Sequence, residues 1–303
     1  MRKAFVKSLY EAALADEKIL LITGDLGFGV LDIFEKNLPN QFINAGIAEQ
    51  SMMSLAAGYA STGHRVFVYS IGNFPTIRCL EQIRNDVCFM ENNVTIVAVG
   101  AGYSYGSQGY SHHALEDISI MRSLPNMKIM IPMDPQDAVD STSYILSQEG
   151  PSYLRIGKDG EPNFESRIER CSINKFKEIR NGSHGTILFT GSIGKNVVRA
   201  AESLLAMGIE VSVAGCTNLS FLDSEYLEQA AAKGPILTVE EHATPGGFGS
   251  LILEYFAVNG EFPKINILGA ARNNLKNIGS QEHLLELNGL SSENIKIQFA
   301  ALL

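Results

Sequence analysis

Short apolar, β-branched runs recur along this chain with helix-period sequence between them, and that alternation constrains the fold more than any other feature. In the first half the runs lie at residues 19–23, 65–70, 94–100, 127–132 and 152–156. Helical stretches fall between them at 47–61, 76–90, 116–124 and 137–147. Strands this apolar have no polar face to show to water, and helical crossovers bring each new strand back parallel to the last. The pattern predicts an α/β fold, a mostly parallel sheet covered by helices on both faces. From residue 157 to 184 (GKDGEPNFESRIERCSINKFKEIRNGSH) the rhythm breaks into charge, Gly and Pro, as in an inter-domain linker with room for one strand. A second series follows, with strands at 186–190, 210–214, 235–239 and 264–268 and helices at 195–207, 224–233 and after Gly249. The expected organisation is a domain over 1–160, a linker over 161–184 and a second α/β domain over 185–303.

Charge and cysteine usage narrow the class of function. A net charge of −9 argues against nucleic acid or an anionic membrane as the main partner, although a local arginine cluster could still hold an anionic substrate. Cys79, Cys88, Cys171 and Cys216 are scattered with no CxxC pair, which favours a reduced, cytosolic protein over a disulfide framework or zinc site. No apolar run approaches the ~20 residues that cross a bilayer. The basic start at Arg2 and Lys3 leads into amphipathic helix spacing, with Lys7 and Glu11 interrupting what a signal peptide would keep apolar. A cytoplasmic location is expected.

Three glycine clusters invite phosphate chemistry. Gly100, Gly102 and Gly106 follow a strand, but the third glycine comes one residue late for a dinucleotide fingerprint and no helical period follows. A loop over a pocket is the better account. The clusters at 191–194 and 245–249 read as tight strand-to-helix turns, and the P-loop pattern is absent.

The chemistry centres on Glu49, at the start of the predicted helix 47–61. An acid in a first helical turn is what the helix dipole favours. Its surroundings are small and apolar (Ala45, Gly46, Ile47, Ala48), so the carboxyl can also be drawn into a dry site where burial raises its proton affinity. Residues 45–50 (AGIAEQ), followed by 51–63 (SMMSLAAGYASTG) and 65–70 (RVFVYS), resemble the pyrimidine-binding domain of the transketolase family and of deoxyxylulose-phosphate synthase. The resemblance continues through 79–87 (CLEQIRNDV), 106–138 (GSQGYSHHALEDISIMRSLPNMKIMIPMDPQDA) and 151–157 (PSYLRIG). It resumes at 185–194 (GTILFTGSIG) and 238–250 (TVEEHATPGGFGS), so it covers nearly the whole chain in order.

The resemblance implies a thiamine-diphosphate enzyme in which Glu49 hydrogen-bonds the cofactor's aminopyrimidine ring and activates it. Phe74 falls where the family stacks an aromatic side chain on that ring. Ile71 and Ile77 fall on flanking wall positions, and Ile47 lies beside the glutamate. His112 matches the histidine of the family's G-x-T-H-Q loop, which helps with proton transfer and orients the substrate carbonyl. His113 replaces the family's Gln. Arg155 falls where a phosphate-binding arginine is expected at the pocket mouth. Arg78 is a second substrate candidate by resemblance to deoxyxylulose-phosphate synthase, and Asp25 could touch cofactor or a subunit contact. Gln108 stands where ordinary transketolases read a substrate hydroxyl with aspartate, and Gly100 where they have histidine. Both departures point to a specialised sugar.

The family's Gly-Asp-Gly motif, which holds the diphosphate through Mg²⁺, does not occur in this chain. The resemblance therefore implies a partner chain carrying the diphosphate and metal site, in a heterotetramer with two of each chain. The leading expectation is one subunit of a split transketolase that moves a two-carbon ketol unit between sugars. A 2-oxoacid dehydrogenase β-subunit, whose glutamate precedes the glycine, a deoxyxylulose-phosphate-synthase-like carboligase, and a silent stabilising subunit stay open.

Overall fold

The computed structural model describes residues 1–164, 172–271 and 275–303. Among the described residues, six strands form the first sheet: β1 (Ile19–Thr23), β2 (Phe42–Asn44), β3 (Arg65–Ile71), β4 (Val94–Val99), β5 (Lys128–Met130) and β6 (Ser152–Ile156). Their order is β2-β1-β3-β4-β6-β5 and each of these pairings is parallel. The second sheet holds β7 (Lys177–Arg180), β8 (Thr186–Thr190), β9 (Ser212–Gly215), β10 (Ile236–Ala243) and β11 (Ile265–Ala270). It runs β11-β10-β8-β9-β7, and β7 is the antiparallel strand among those described.

Burial explains why these strands read as unbroken apolar runs. In β1, Leu20 and Ile22 enter one core while Ile19 and Leu21 enter another. In β3 the same alternation sends Val66 and Val68 one way and Phe67 and Tyr69 the other. Helix Glu49–Ser61 covers the first face with Met52, Met53 and Ala56, and helix Arg2–Ala15 covers the second with Phe5, Leu9 and Ala13. Each such large side chain contributes on the order of 2 kcal/mol on leaving water. Among the described residues no helix is long and apolar enough to cross a membrane.

Three local features bear on the sequence reading. Strand β2 has three residues, too few to leave a periodicity signal, yet it pairs with β1 through Leu21–Thr23. Strand β7 is the one strand for which the linker stretch left room, and its half-buried, charged sequence suits a sheet edge. The expected helix over 76–90 is a 3-10 turn at Ile77–Cys79, a short α-turn at Leu80–Gln82 and a π-helical stretch at Ile83–Phe89.

The sheets are joined by backbone and side-chain bonds near the ends of β5 and β6. Ile131 donates its amide to Thr217 at 2.8 Å, and Ala243 donates to Leu115 at 2.9 Å. With the sheets so joined, the loops after β2, β3 and β4 open at one end of the first sheet. In an open parallel sheet that end is where ligands bind.

Candidate active site

The loop after β2 delivers Glu49. Asn44 at the strand end accepts the amides of Asp25 (2.9 Å) and Gly46 (3.0 Å), and its own amide donates to Asp25 at 3.1 Å. These bonds hold Asp25 in the left-handed region at φ 57, a conformation that a non-glycine residue keeps only when its surroundings impose it. Asp25 is exposed and shapes the turn; Ile47, at the tip of the next loop, is 77% exposed. The helix then begins at Glu49 itself, whose side chain is only 3% exposed.

The loop after β3 brings the partners. Arg78 Nη1 donates to Glu49 Oε2 at 2.7 Å, and the same guanidinium lies over the Phe74 ring, 4.7 Å from its centroid. His112 meets Phe74 edge-on at 5.1 Å. Four residues singled out from sequence are thus joined in one chain of contacts, Glu49–Arg78–Phe74–His112. Beneath them Cys79 is buried, its thiol pushed up to about 12 by burial and by the Glu49 charge, against the opposing pull of Arg78. It is an apolar packing group here and not a nucleophile.

The loop after β4 carries His112. Asn73 donates its side-chain amide to the His113 carbonyl at 2.7 Å and to the Ser111 carbonyl at 3.4 Å, tying the two loops together. Burial, then the neighbouring His113, lowers the proton affinity of His112 below the ordinary imidazole value. The ring is therefore neutral near pH 7 and can accept a proton. His113 is 1% exposed, packs edge-on against Tyr103 and places Nε2 3.2 Å from the Gly106 carbonyl, so it braces the loop. Sequence alone did not single out Asn73 or Cys79. A polar residue between a strand end and the next helical turn was the available signal for the first, and none existed for the second.

The remaining sequence-predicted residues fall in different places. Gln108 is exposed on the 3-10 turn Gly106–Gln108. Ile77 is 45% exposed beside Arg78. Ile71 shares the parity of Phe67 and Tyr69 along β3, so its side chain packs into the sheet face opposite the Glu49 helix, and Phe74 supplies the ring at this end. Arg155 needs correction. It is 2% exposed, not at a mouth: Nε donates to Asp117 at 2.6 Å, and Nη2 donates to the carbonyls of Ala114 (2.7 Å) and Glu241 (3.0 Å). An odd-numbered place on a strand buried on both faces points its side chain into the seam between the sheets. An exposed cation at this end is Lys158, whose ammonium lies 5.3 Å from the Tyr105 ring centroid. Tyr105 also explains Gly100: at φ +86 a Cβ there would collide with the tyrosine ring.

Around Arg155 lies a second set of ionisable groups. Burial alone would raise Asp117, but Arg155 and its hydrogen bonds hold it below the usual carboxylate range. Glu240 is raised to about 7 by burial, although the amides of Phe248 and Gly249 donate to it at 2.6 and 2.9 Å. His242 is lowered to about 4 by burial. Its Nδ1 sits 2.6 Å from the Ala243 carbonyl, which can only accept, so that nitrogen carries the proton. Among the described residues no group of three or more His, Cys, Asp or Glu side chains could hold a metal ion.

A buried carboxyl and an aromatic face in one cluster suit the aminopyrimidine end of thiamine diphosphate, and among the described residues no group of acidic, His or Cys side chains suits a divalent cation. Comparison with known proteins accords with that division. Residues 1–160 match the family described as transketolase, pyrimidine binding domain, and residues 174–295 match transketolase, C-terminal domain. The chain is 33% identical over 297 residues to one of the subunits of the apulose-4-phosphate transketolase of Phocaeicola vulgatus, covering 97% of this chain and 94% of that one. It is 35% identical over 298 residues to a putative transketolase C-terminal section of Methanocaldococcus jannaschii, covering 97% and 93%. A solved structure described as a split gene transketolase, inactive beta4 tetramer, superposes with a TM-score of 0.88 at 31% identity, covering 99% of this chain and 97% of that one.

Proposed function

The chain belongs to the transketolase family, as the pyrimidine-binding and C-terminal section of a split enzyme, and on that premise we propose that it is the subunit that activates thiamine diphosphate for transfer of a two-carbon ketol unit between sugars or sugar phosphates. The observation that carries this reading is the 3%-exposed carboxyl of Glu49, at a helix start, joined through Arg78 to the Phe74 ring with His112 edge-on to it. Bound there, the cofactor would supply the nucleophilic carbon that accepts the ketol unit. Glu49 would hold the ring through a hydrogen bond, and its burial would keep water from competing for the carboxyl. Phe74 supports the ring face. Neutral His112 takes or returns a proton at a substrate oxygen, with Gln108 a polar contact further out on the same loop.

A partner subunit supplies the diphosphate and Mg²⁺ site in a heterotetramer with two of each chain. Exposed apolar side chains support the contact: Ile47 and Ile77 flank Glu49, and Phe89 (76% exposed) and Met90 (62% exposed) end the helical stretch packed on its helix. The three described cysteines are free and buried, which fits a reducing, cytoplasmic setting. Tyr105 filling the place over Gly100 supports a sugar other than the usual pentose phosphates; the Phocaeicola relative is named for apulose 4-phosphate.

Replacing Glu49 by Ala in the reconstituted complex should cut ketol transfer by about 100- to 10,000-fold with the fold intact. Retained rate would mean a silent subunit. The isolated chain should show no turnover with thiamine diphosphate, Mg²⁺ and ketose donors; turnover would sink the split-enzyme reading. Release of carbon dioxide from pyruvate by the complex would favour a deoxyxylulose-phosphate-synthase-like reaction instead.

A further inference from the structure

We propose that Arg78 is a built-in stand-in for the cofactor ring, a latch that must swing out before thiamine diphosphate can seat; the idea rests on the cofactor reading above. Two contacts define the ring's place: the face of Phe74 and a carboxylate oxygen of Glu49. The Arg78 guanidinium holds both, with its carbon 4.7 Å from the Phe74 centroid and Nη1 2.7 Å from Glu49 Oε2. A guanidinium is planar, cationic and rimmed with N–H donors. It satisfies an aromatic face and a buried carboxylate in the way an aminopyrimidine does. His112 meets Phe74 edge-on at 5.1 Å, so the imidazole and the guanidinium together surround that ring.

The exposure of the two partners shows which one moves. Glu49 is 3% exposed and fixed in a helix, whereas Arg78 is 47% exposed on a flexible stem, so it can leave without backbone change. The arrangement also gives the buried carboxylate a partner while the complex assembles. Because only the open fraction of molecules can bind, the latch weakens apparent cofactor affinity by that fraction. One ion pair with a half-exposed cation and one cation–π contact together correspond to about threefold to thirtyfold.

Equilibrium and stopped-flow binding of thiamine diphosphate to the complex reconstituted with its partner subunit test this. Arg78→Ala should tighten binding by about threefold to thirtyfold, through faster association with little change in dissociation. Arg78→Lys, which keeps the charge and loses the flat fork, should fall between. In a Glu49→Gln background the gain should shrink, and added salt should narrow the gap between parent and Arg78→Ala. Unchanged or weaker binding by Arg78→Ala would overturn the latch while leaving the cofactor reading intact. A parent complex that binds no thiamine diphosphate at all would overturn both.

Discussion

Two arginine–carboxylate pairs, built from the same chemistry, do opposite work in this molecule. Arg155 and Asp117 are 2% and 0% exposed, and the arginine makes three further contacts, with Asp117, with the Ala114 carbonyl and with the Glu241 carbonyl on β10. Arg78 is 47% exposed and holds Glu49 through its Nη1 donor. A buried pair cannot open without stranding a charge in a dry interior, so it stays closed and holds Arg155 in place to bond Glu241 on the second sheet. A pair whose cation is half in water opens more easily, because that end regains its hydration. Burial, not the identity of the residues, decides which arginine is a bolt and which can be a latch.

Stability measurements would break that comparison most directly. Arg155→Leu leaves Asp117 buried and unpaired and should cost about 3–5 kcal/mol, enough to loosen the seam between the sheets. Arg78→Leu should cost less, about 1–2 kcal/mol by urea unfolding, because only the carboxylate of that pair is buried. Equal losses would mean that the two pairs are not different in kind.

The seam should also respond to pH. Glu240 has a folded value raised to about 7 from an ordinary 4.5, so its contribution is fully present below pH 4.5 and lost as pH rises through 7. His242 is lowered to about 4 from 6.5, so its burial as a neutral ring is unfavourable in acid and recovers as pH rises from 4 to 6.5. The two slopes oppose each other, each on the order of 3 kcal/mol. Relative to the parent, Glu240→Gln should therefore gain stability between pH 4.5 and 7. Unfolding curves at half-unit steps would show it, and parallel pH profiles would mean that Glu240 does not titrate with folding.

Gly100 sharpens the comparison on the loop side. Gly100→Ala sets a Cβ against Tyr105 at a positive φ and should cost about 1–3 kcal/mol. A second change, Tyr105→Ala, should recover the steric part and leave the backbone strain. Asn73→Ala, which unties the His112 loop, should cost about 1 kcal/mol and affect ketol transfer more than unfolding.

Much of this was legible in the residue order. Strands buried on both faces announce themselves as apolar runs, and Glu49, Phe74 and His112 stand in motifs whose spacing survives from chain to cluster. Strand β2 was not legible, because three residues carry no period. The π-helical winding after Gln82 left no signal either, since its apolar spacing still resembles a helix over so short a stretch. The burial of Arg155 was hidden for a reason of the same kind. A strand sequence reports alternation but not which face opens to solvent and which meets a second sheet.

By itself, then, the sequence determined the two parallel-type sheets, the absence of a diphosphate motif and the identity of the carboxyl at position 49, because periodicity and motif spacing are local properties of a chain. Only the tertiary structure decided that Arg78 lies on that carboxyl and over Phe74, that Arg155 bolts the sheets together, and that Glu240 and His242 titrate out of their ordinary ranges. Those facts depend on which distant segments exclude water from one another, and exclusion of water is a property of the packed whole.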